Sequence, residues 1–229
     1  MNTALQDLPL PVDIELGSGA LECARTAADL IHARQTVLPK RLLAPGPDAN
    51  QLQAILHAAS AAPDHGQLLP WRFVIVPRTE RASLADVFAD ALIERDAGAA
   101  PEQMDQAREK AHRAPLLLLI VVDSQIGDPA VGYAERVLSA GCAVQNMLLM
   151  ATAMGFGSAL TSGKALASHA LRRHFGLHGG EQALCFMSVG TAAAHRPPRT
   201  RPTVADYCSI LGPANNHPNR SMHEYPDLR

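Results

Sequence analysis

Two sets of basic side chains, one following a predicted helix and one in a proline-rich segment near the C-terminus, have few acidic neighbours. The two sets are Arg34, Lys40 and Arg41, and Arg196, Arg199 and Arg201. Guanidinium groups bind phosphate through paired hydrogen bonds, and the Thr36 hydroxyl beside the first set would add another. The pattern therefore indicates a candidate anion site. Spacing alone favours the simpler alternative, in which these are solvated surface charges.

Other patterns that could carry chemistry are incomplete. His174 and His178 have the helical spacing of a metal-binding pair, but Gly176 lies between them and no His-Glu-x-x-His motif is present. Ser158 and Ser162 lack the Gly-x-Ser-x-Gly sequence of a nucleophile elbow. We therefore expect no metal site and no catalytic nucleophile supplied by the protein.

A long apolar segment and the glycine-rich segment after it are the central elements of the chain. Tyr133–Met154 is rich in Ala, Leu, Met and Val, and its only charged residues, Glu135 and Arg136, stand at its beginning. A helix that is apolar on nearly every face is expected to be buried on nearly every face. Gly155–Gly163 is then predicted to form the floor of a site. Because it follows a helix and not a strand, it does not match a Rossmann fingerprint.

A membrane span is the alternative interpretation of this apolar segment. Val137–Leu160 is long enough to cross a bilayer, but Gln145 and Asn146 lie near its middle. These polar residues and the glycines that follow favour a buried helix. The small residues Ser139–Gly141 allow another backbone to approach closely, which favours tight packing, for instance across a dimer axis.

Composition excludes several functions. The chain has 229 residues, of which 47% are hydrophobic and 18% charged, as suits one globular domain with a sizeable core. A net charge of −2 and an aromatic content of 4% argue against nucleic-acid binding through a basic surface or stacked bases. The four cysteines form no Cys-x-x-Cys pair, and the N-terminus lacks the pattern of a secretion signal. We therefore predict a cytoplasmic protein.

Helical periodicity alternates with short apolar runs along the chain. Asp48 and Gln51 are predicted to form a capping box at the start of the second helix. Leu116–Val122 is a continuous apolar run of the kind that is buried on both faces of a sheet. The predicted strands are 71–76, 116–122 and 183–189. The predicted helices are 20–33, 48–62, 80–96, 101–112, 133–154 and 167–175. This pattern indicates a layered α+β domain.

Four motifs follow one another in order. They are Arg34-Gln35-Thr36; Ala62-Pro63-Asp64-His65-Gly66 leading to Pro70-Trp71-Arg72-Phe73; Ser139-Ala140-Gly141-Cys142-Ala143 leading to Gly155-Phe156-Gly157 and Thr161-Ser162-Gly163; and Gly190-Thr191. In order and spacing they resemble the nitroreductase family of flavin enzymes, and within it the short subgroup with an Ala-Pro-Asp-His motif. The resemblance extends from about Arg34 to Arg201.

The resemblance implies an α+β, three-layer fold with a central mixed β-sheet flanked by helices. It also implies an obligate homodimer that binds two FMN molecules at the subunit interface. The chain would then divide into a leader and first helix at 1–33, an FMN-binding domain at 34–211 and a C-terminal tail at 212–229.

The resemblance also implies which residues contact FMN. They are Arg34, Gln35, Thr36, His65, Leu160, Thr161, Ser162 and Arg201. In the family an Arg-Arg-Ser segment grips the phosphate and ribityl chain. Here Thr36 keeps the hydroxyl, whereas Gln35 removes a cation that Lys40 or Arg41 could supply.

The other expected contacts come from three separate segments. The family's Ala-Pro-Asp-His loop reaches the flavin of the partner chain, which points to His65. The segment Leu160–Ser162 corresponds to the stretch beside the isoalloxazine ring, where Thr161 stands in place of a common arginine. A basic residue of the C-terminal arm commonly meets the phosphate, and Arg201 is the first choice, with Arg199 the second.

The implied function is that of an FMN-dependent NAD(P)H oxidoreductase. It would reduce nitroaromatic or quinone-like small molecules by ping-pong hydride transfer through the flavin, which supplies the chemistry while the protein positions it. Two alternatives stay open. The same fold could act on another acceptor, such as an enone or a halogenated phenol, or the protein could be a non-catalytic flavin-binding dimer.

Overall fold

The computed structural model describes residues 18–193 and 200–209. They belong to two compact units, which are Cys23–His195 and a smaller unit made of Met1–Glu22 with Arg196–Arg229. The predicted leader before residue 18 and the predicted tail at 212–229 lie outside the described residues.

The described part of the smaller unit contains the beginning of helix α1 (Ser18–Ala33) and a 3₁₀ turn at Val204–Asp206. The Asp206 carboxylate caps this turn. It accepts hydrogen bonds from the Thr203 backbone N–H at 2.7 Å and from the Thr203 hydroxyl at 2.9 Å.

The described part of the larger unit contains a five-stranded sheet and helices that follow α1. The strands are β1 (Leu42–Leu43), β2 (Trp71–Ile75), β3 (Leu116–Asp123), β4 (Gly157–Thr161) and β5 (Glu181–Ala192). The helices are α2 (Ala49–Ala58), α3 (Arg81–Arg95), α4 (Pro101–Glu109), α5 (Tyr133–Ala153) and α6 (His169–His174). Short 3₁₀ turns adjoin them at Pro39–Arg41, Ala59–Ala61, His65–Gln67, Arg78–Glu80, Lys110–His112 and Lys164–Ala167.

The long strand β5 organises the sheet. Its residues Phe186–Val189 pair with both β3 and β4, so these two strands lie on opposite edges of β5. Strand β2 pairs with β3, and the short β1 pairs with the end of β5 at Thr191 and Ala192. These pairings are antiparallel, and a bridge between Thr36 and Ser158 adds a parallel element. The prediction of a mixed sheet is therefore confirmed.

Alternate side chains of β3 point into two separate layers. Leu116, Leu118 and Ile120 pack in one core cluster with residues of α2 and α5. Leu117, Leu119 and Val121 pack in another cluster with residues of α3 and α6. All of these side chains are buried, as a continuous apolar run predicts. The three-layer α+β architecture is therefore confirmed.

The prediction of three strands is wrong, because β1 and β4 were missed. Strand β1 has only two residues, too few for a periodic pattern. Strand β4 lies inside the glycine-rich segment that was predicted to form the floor of a site. A Cβ atom on Gly157 would lie 2.9 Å from Leu42 Cδ2 and 3.0 Å from Val37 Cγ2. Glycine at the start of β4 therefore permits a close approach of neighbouring side chains.

Helix α5 has one exposed stripe, so the prediction of burial on nearly every face is wrong for the single chain. The stripe is Ala134, Leu138, Gly141 and Gln145. Leu138 is 68% exposed. Ser139 and Ala140, by contrast, are buried within the chain, so Gly141 alone of the predicted small residues lies on the open face. Among the described residues, no helix is both long and apolar enough to cross a membrane.

A buried arginine anchors the beginning of α5. Arg136 is fully buried, and its guanidinium donates hydrogen bonds to the carbonyl groups of Ile126 at 2.6 Å, Asp128 at 2.7 Å and Val131 at 2.9 Å. These bonds satisfy a charged group that would otherwise be costly to bury. The loop after β3 is thereby tied to the first turn of α5, where Glu135 also lies.

Candidate functional site

A cavity with a volume of about 590 Å³ lies in the larger unit. Its walls come from α3, α4, the end of β4, the middle of β5 and the 3₁₀ turn after β4. Apolar side chains form one part of its lining, namely Phe88, Leu92, Leu117, Leu166 and Phe186. Phe88 and Phe186 meet edge to face, with ring centroids 5.5 Å apart. The cavity therefore offers an apolar wall suited to a flat ligand.

The polar part of the lining is positively charged. It contains the four cationic side chains Arg95, Lys110, Arg113 and Lys164, and no Asp or Glu stands among the described residues that line the cavity. Such an excess of one sign of charge attracts anionic ligands.

An acidic residue just outside the cavity pairs with one of these cations. The Arg113 guanidinium donates to the Glu109 carboxylate, with a distance of 2.9 Å from Arg113 Nε. This hydrogen bond is the main reason why the pKa of Glu109 lies below its ordinary value, and the charges of Lys40 and Lys110 lower that pKa further. Lys40, Lys110 and Arg113 therefore form one cationic group around Glu109.

The end of β4 brings two predicted residues into the cavity. Thr161 and Ser162 both line it, together with Gly163. A Cβ atom on Gly163 would meet no atom within 4 Å, so the backbone here faces open space. Leu160 is different, because it is not among the residues that line the cavity, and it is 42% exposed. Successive residues of a strand point to opposite faces, which separates Leu160 from Thr161.

The segment after α1 runs beside the beginning of β4. Thr36 forms the parallel bridge with Ser158, and the Val37 N–H donates to the Ser158 carbonyl at 2.9 Å. Arg34 and Gln35 are half-buried at the end of α1, and Pro39 lines the cavity. The structure therefore places the predicted Arg-Gln-Thr motif beside the beginning of β4, whose other end enters the cavity, and none of the three residues is among the cavity lining.

The loop that holds His65 is not part of the cavity lining in its own chain. The His65 ring is exposed, and its Nδ1 lies 2.8 Å from a carboxylate oxygen of Glu135 at the beginning of α5. This hydrogen bond is the main cause of a raised pKa for His65, and the negative charge of Glu135 adds to it. The loop has a defined shape, with the Asp64 carboxylate accepting a hydrogen bond from the Leu69 N–H at 2.6 Å.

The residue after this loop has a packing role. The indole N–H of Trp71 donates to the Ser139 hydroxyl at 3.1 Å, and its ring stacks on Phe73 with centroids 5.2 Å apart. Trp71 therefore joins β2 to the buried side of α5.

Of the two residues predicted on the C-terminal arm, one lies within the described residues and the other does not. Arg201 is described and exposed, and it belongs to the smaller unit. Arg199 lies outside the described residues. Of the alternatives named for Gln35, Lys40 belongs to the cationic group around Glu109, and the Arg41 carbonyl accepts a hydrogen bond from the Ala193 N–H at 3.1 Å.

The four cations of the cavity were not among the residues predicted to contact the ligand. Arg95 ends α3, Lys110 and Arg113 follow α4, and Lys164 follows β4. Arg95, Lys110 and Arg113 stand at or after the ends of helices with mixed charge, and Lys164 begins a short turn that is otherwise apolar. Neither setting distinguishes these residues from solvated surface charges. Within the described part of the chain, no three His, Cys, Asp or Glu side chains are grouped so that they could hold a metal ion.

Comparison with known proteins gives a consistent result. The model of the nitroreductase family matches residues 31–191. A protein of Haemophilus influenzae, provisionally named an NAD(P)H nitroreductase, is 36% identical over 155 residues, which are 66% of this chain and 82% of the relative.

Solved structures share the fold at lower identity. The nitroreductase-like family protein from Bacillus cereus superposes with a TM-score of 0.68 at 17% identity, covering 80% of this chain and 95% of that one. The NADPH:FMN oxidoreductase from Vibrio harveyi, solved with NAD+, superposes with a TM-score of 0.63 at 20% identity, covering 82% of this chain and 79% of that one. Both likenesses concern the fold.

Proposed function

The chain belongs to the nitroreductase family, and we propose that it is an FMN-dependent oxidoreductase. It uses NADH or NADPH to reduce small molecules such as nitroaromatics or quinones. The observation that carries the proposal is the cavity at the end of β4, which combines an apolar wall, an open backbone and a cationic rim. The name of the Vibrio harveyi neighbour, which includes both FMN and NADPH, supports the choice of cofactor.

The residues present fit FMN, which has a flat ring system, a polyhydroxyl chain and a phosphate. Phe88 and Phe186 provide apolar surface for a ring. Bound FMN supplies the hydride chemistry of the reaction. The backbone from Thr161 to Gly163 would hold the ring edge, because a Cβ atom on Gly163 would meet no atom within 4 Å, and a ligand can therefore approach the chain closely there.

The anionic end of the cofactor needs cations and hydroxyl groups. We assign Arg34, Gln35, Thr36 and Arg201 to the phosphate and ribityl chain on the strength of the family motif. Lys110 joins this set because it lines the cavity within the cationic group around Glu109. Charge-assisted hydrogen bonds from such groups are short and strong.

The protein is proposed to work as a homodimer. In the single chain, α5 exposes the stripe that contains Leu138 and Gly141, and a second copy of the chain would cover it. His65 then serves the flavin of the partner chain, since its own chain does not bring it to the cavity lining. The four cysteines form no disulfide, which suits the reducing cytoplasm.

The purified protein is expected to be yellow and to contain non-covalent FMN. Acid precipitation should release the pigment, and chromatography against FMN, FAD and riboflavin standards identifies it. NADH or NADPH added without oxygen should bleach the yellow colour, and a nitroaromatic or quinone added afterwards should restore it.

Each alternative result of these experiments leads to a different conclusion about the function. A colourless protein that takes up no added FMN contradicts the proposed cofactor. A yellow protein that neither nucleotide bleaches is a flavin-binding dimer without this activity. Bleaching that nitroaromatics and quinones do not reverse, but an enone or a halogenated phenol does, identifies another acceptor on the same fold.

A further inference from the structure

The cationic rim of the cavity divides into two groups. Lys110 and Arg113 belong to the group around Glu109, and Lys110 is already assigned to FMN. Arg95 and Lys164 are separate from that group, because they stand on α3 and on the turn after β4. Within the described residues, neither of these two side chains forms an ion pair. Their charge is available to a ligand.

Hydrogen bonds join the end of α3, which holds Arg95, to the beginning of α6, which comes just after the turn that holds Lys164. The Glu94 carboxylate, at the end of α3, accepts hydrogen bonds from the backbone N–H groups of His169 at 3.0 Å and Ala170 at 2.8 Å. These residues begin α6, which follows the 3₁₀ turn Lys164–Ala167 directly. The end of α3 and the turn after β4 are therefore fixed to each other, and both present a cation to the same cavity.

The two acidic residues beside Arg95 in the sequence accept hydrogen bonds from backbone N–H groups. Both carboxylate oxygens of Glu94 accept the hydrogen bonds from α6. The Asp96 carboxylate accepts one from the Gly98 N–H at 3.1 Å. Neither residue lines the cavity. The positive charge at this part of the rim is thus directed to the cavity without a carboxylate beside it.

The apolar wall stands close to this pair in the fold. Leu92 precedes Arg95 by one helical turn on α3, and Leu166 follows Lys164 in the same 3₁₀ turn, and all four residues line the cavity. A flat apolar group can pack there while an attached anionic group meets the two cations.

On the premise of the proposed function, we infer that the physiological electron acceptor is a planar molecule with an anionic group, such as an aromatic carboxylate. Arg95 and Lys164 hold that anionic group, and the side chains of Leu92 and Leu166 beside them pack against the ring. A neutral acceptor of the same shape packs against the same apolar side chains but forms no ion pair with either cation, so it binds more weakly.

A matched pair of nitroaromatics tests the inference. 4-Nitrobenzoate and its methyl ester differ in charge while keeping the same reducible group. Reduction of the nitro group to a nitroso group consumes one NAD(P)H and one proton and releases one water, so loss of NAD(P)H absorbance measures both reactions. We expect kcat/KM for the acid to exceed that for the ester by at least ten-fold, which corresponds to about 1.4 kcal/mol.

Variants of the rim assign the preference to residues. Arg95→Gln and Lys164→Gln should each reduce the acid-to-ester ratio of kcat/KM by about five- to ten-fold, mainly through KM for the acid. The double variant should bring the ratio close to one. Arg108→Gln is the matched control, because Arg108 lies on α4, pairs with Asp86 and Asp105, and does not line the cavity. It should keep the ratio of the parent.

Calorimetry gives a readout that does not depend on turnover. Benzoate titrated into the purified protein should bind, and methyl benzoate should bind at least ten-fold more weakly. Both rim variants should lose most of the affinity for benzoate. Equal binding of the acid and its ester, or undiminished benzoate binding by the double variant, would overturn the inference.

Two outcomes separate this inference from the proposed function. If the parent reduces the acid and the ester equally well, the flavin oxidoreductase stands and the anionic acceptor is wrong. If the rim variants raise KM for NADH or NADPH but not for the acid, these cations hold the dinucleotide, and the inference is again wrong. A protein without FMN contradicts the proposed function, while the benzoate titration still tests the rim.

Discussion

His65 is held in its own chain by a single carboxylate. Its Nδ1 lies 2.8 Å from Glu135, and the ring is otherwise open to solvent. A neutral imidazole offers one donor and one acceptor, whereas a protonated one offers two donors. The Glu135 contact favours the protonated form and raises the pKa of His65 above 6.5. The protonation of this residue therefore depends on an interaction that lies outside the cavity.

Replacing Glu135→Gln should lower the pKa of His65 towards 6.5, because the hydrogen bond to a charged acceptor and its Coulombic attraction are both lost. Nuclear magnetic resonance of the imidazole protons against pH measures the change. Glu102→Gln, an acidic residue at the start of α4, serves as the control and should leave the titration as in the parent. An unchanged His65 titration in Glu135→Gln would show that the ion pair does not form in solution.

The sign of the linked effect on stability follows from the direction of the shift. Because the pKa of His65 is higher in the folded chain than in the unfolded chain, the pair stabilises the fold fully below about pH 6.5. That contribution disappears as the pH rises through the folded pKa. It is small, since both side chains are largely exposed.

Helix α5 has one face in the core and one on the surface of the single chain. The buried side includes Ala143, Met147 and Ala151, and packs in the cluster with β3 and β5. The opposite side exposes Leu138, and beside it the lack of a side chain at Gly141 leaves room for another backbone. The exposed Leu138 and the open space at Gly141 would allow a second chain to pack closely against this side of α5.

Leu138→Asp should dissociate the proposed dimer, because a carboxylate buried at the interface without a partner costs several kcal/mol. The dimer dissociation constant should rise at least a hundred-fold, as measured by sedimentation velocity. Ile93→Asp is the control, since Ile93 is exposed on α3 and does not line the cavity. It should stay dimeric. If the parent sediments as a single 24.4 kDa chain at low micromolar concentration, the dimer is wrong.

We propose that two chains form the flavin site of the complete molecule. Arg34 and Thr36 are proposed to reach it from the segment beside β4, and His65 from the partner. In the single chain these residues lie on separate elements, and His65 is not in the cavity lining. This arrangement makes assembly and cofactor binding dependent on each other.

Heterodimers of a His65→Ala chain with an Arg34→Ala chain test this arrangement. If the two residues serve the sites of opposite chains, one site carries both substitutions and the other carries neither. The heterodimer should then bind about half the normal amount of FMN with parent affinity, measured by flavin fluorescence in a titration. Two equally weakened sites would show that His65 serves the flavin of its own chain.

Local patterns in the sequence were sufficient to predict much of the fold. The capping box of α2 forms as predicted, with hydrogen bonds of 2.9 Å between Asp48 and Gln51 in both directions. The apolar run Leu116–Val122 forms the central part of β3 and is buried on both faces. The capping box depends on residues only three positions apart. The apolar run can be buried on both faces only in the middle layer of a layered fold. Strand β4 was missed because five residues that begin with a glycine give no periodic signal, and its place in the sheet comes from pairing with β5.

The candidate site also contains some residues that local motifs predicted and others that only the structure revealed. The motifs pointed to Thr161 and Ser162, and the structure brings both to the cavity. Nothing in the sequence indicated that Arg95 and Lys164 line the same cavity, because they are far apart in the chain and each resembles a solvated charge. The hydrogen bonds of Glu94 join the end of α3 to the beginning of α6, which follows the turn that holds Lys164. The sequence by itself thus determined the helices, the buried strand and the family motifs, which depend on local spacing. Only the tertiary structure decided which distant charges face one ligand, because that depends on how the layers pack.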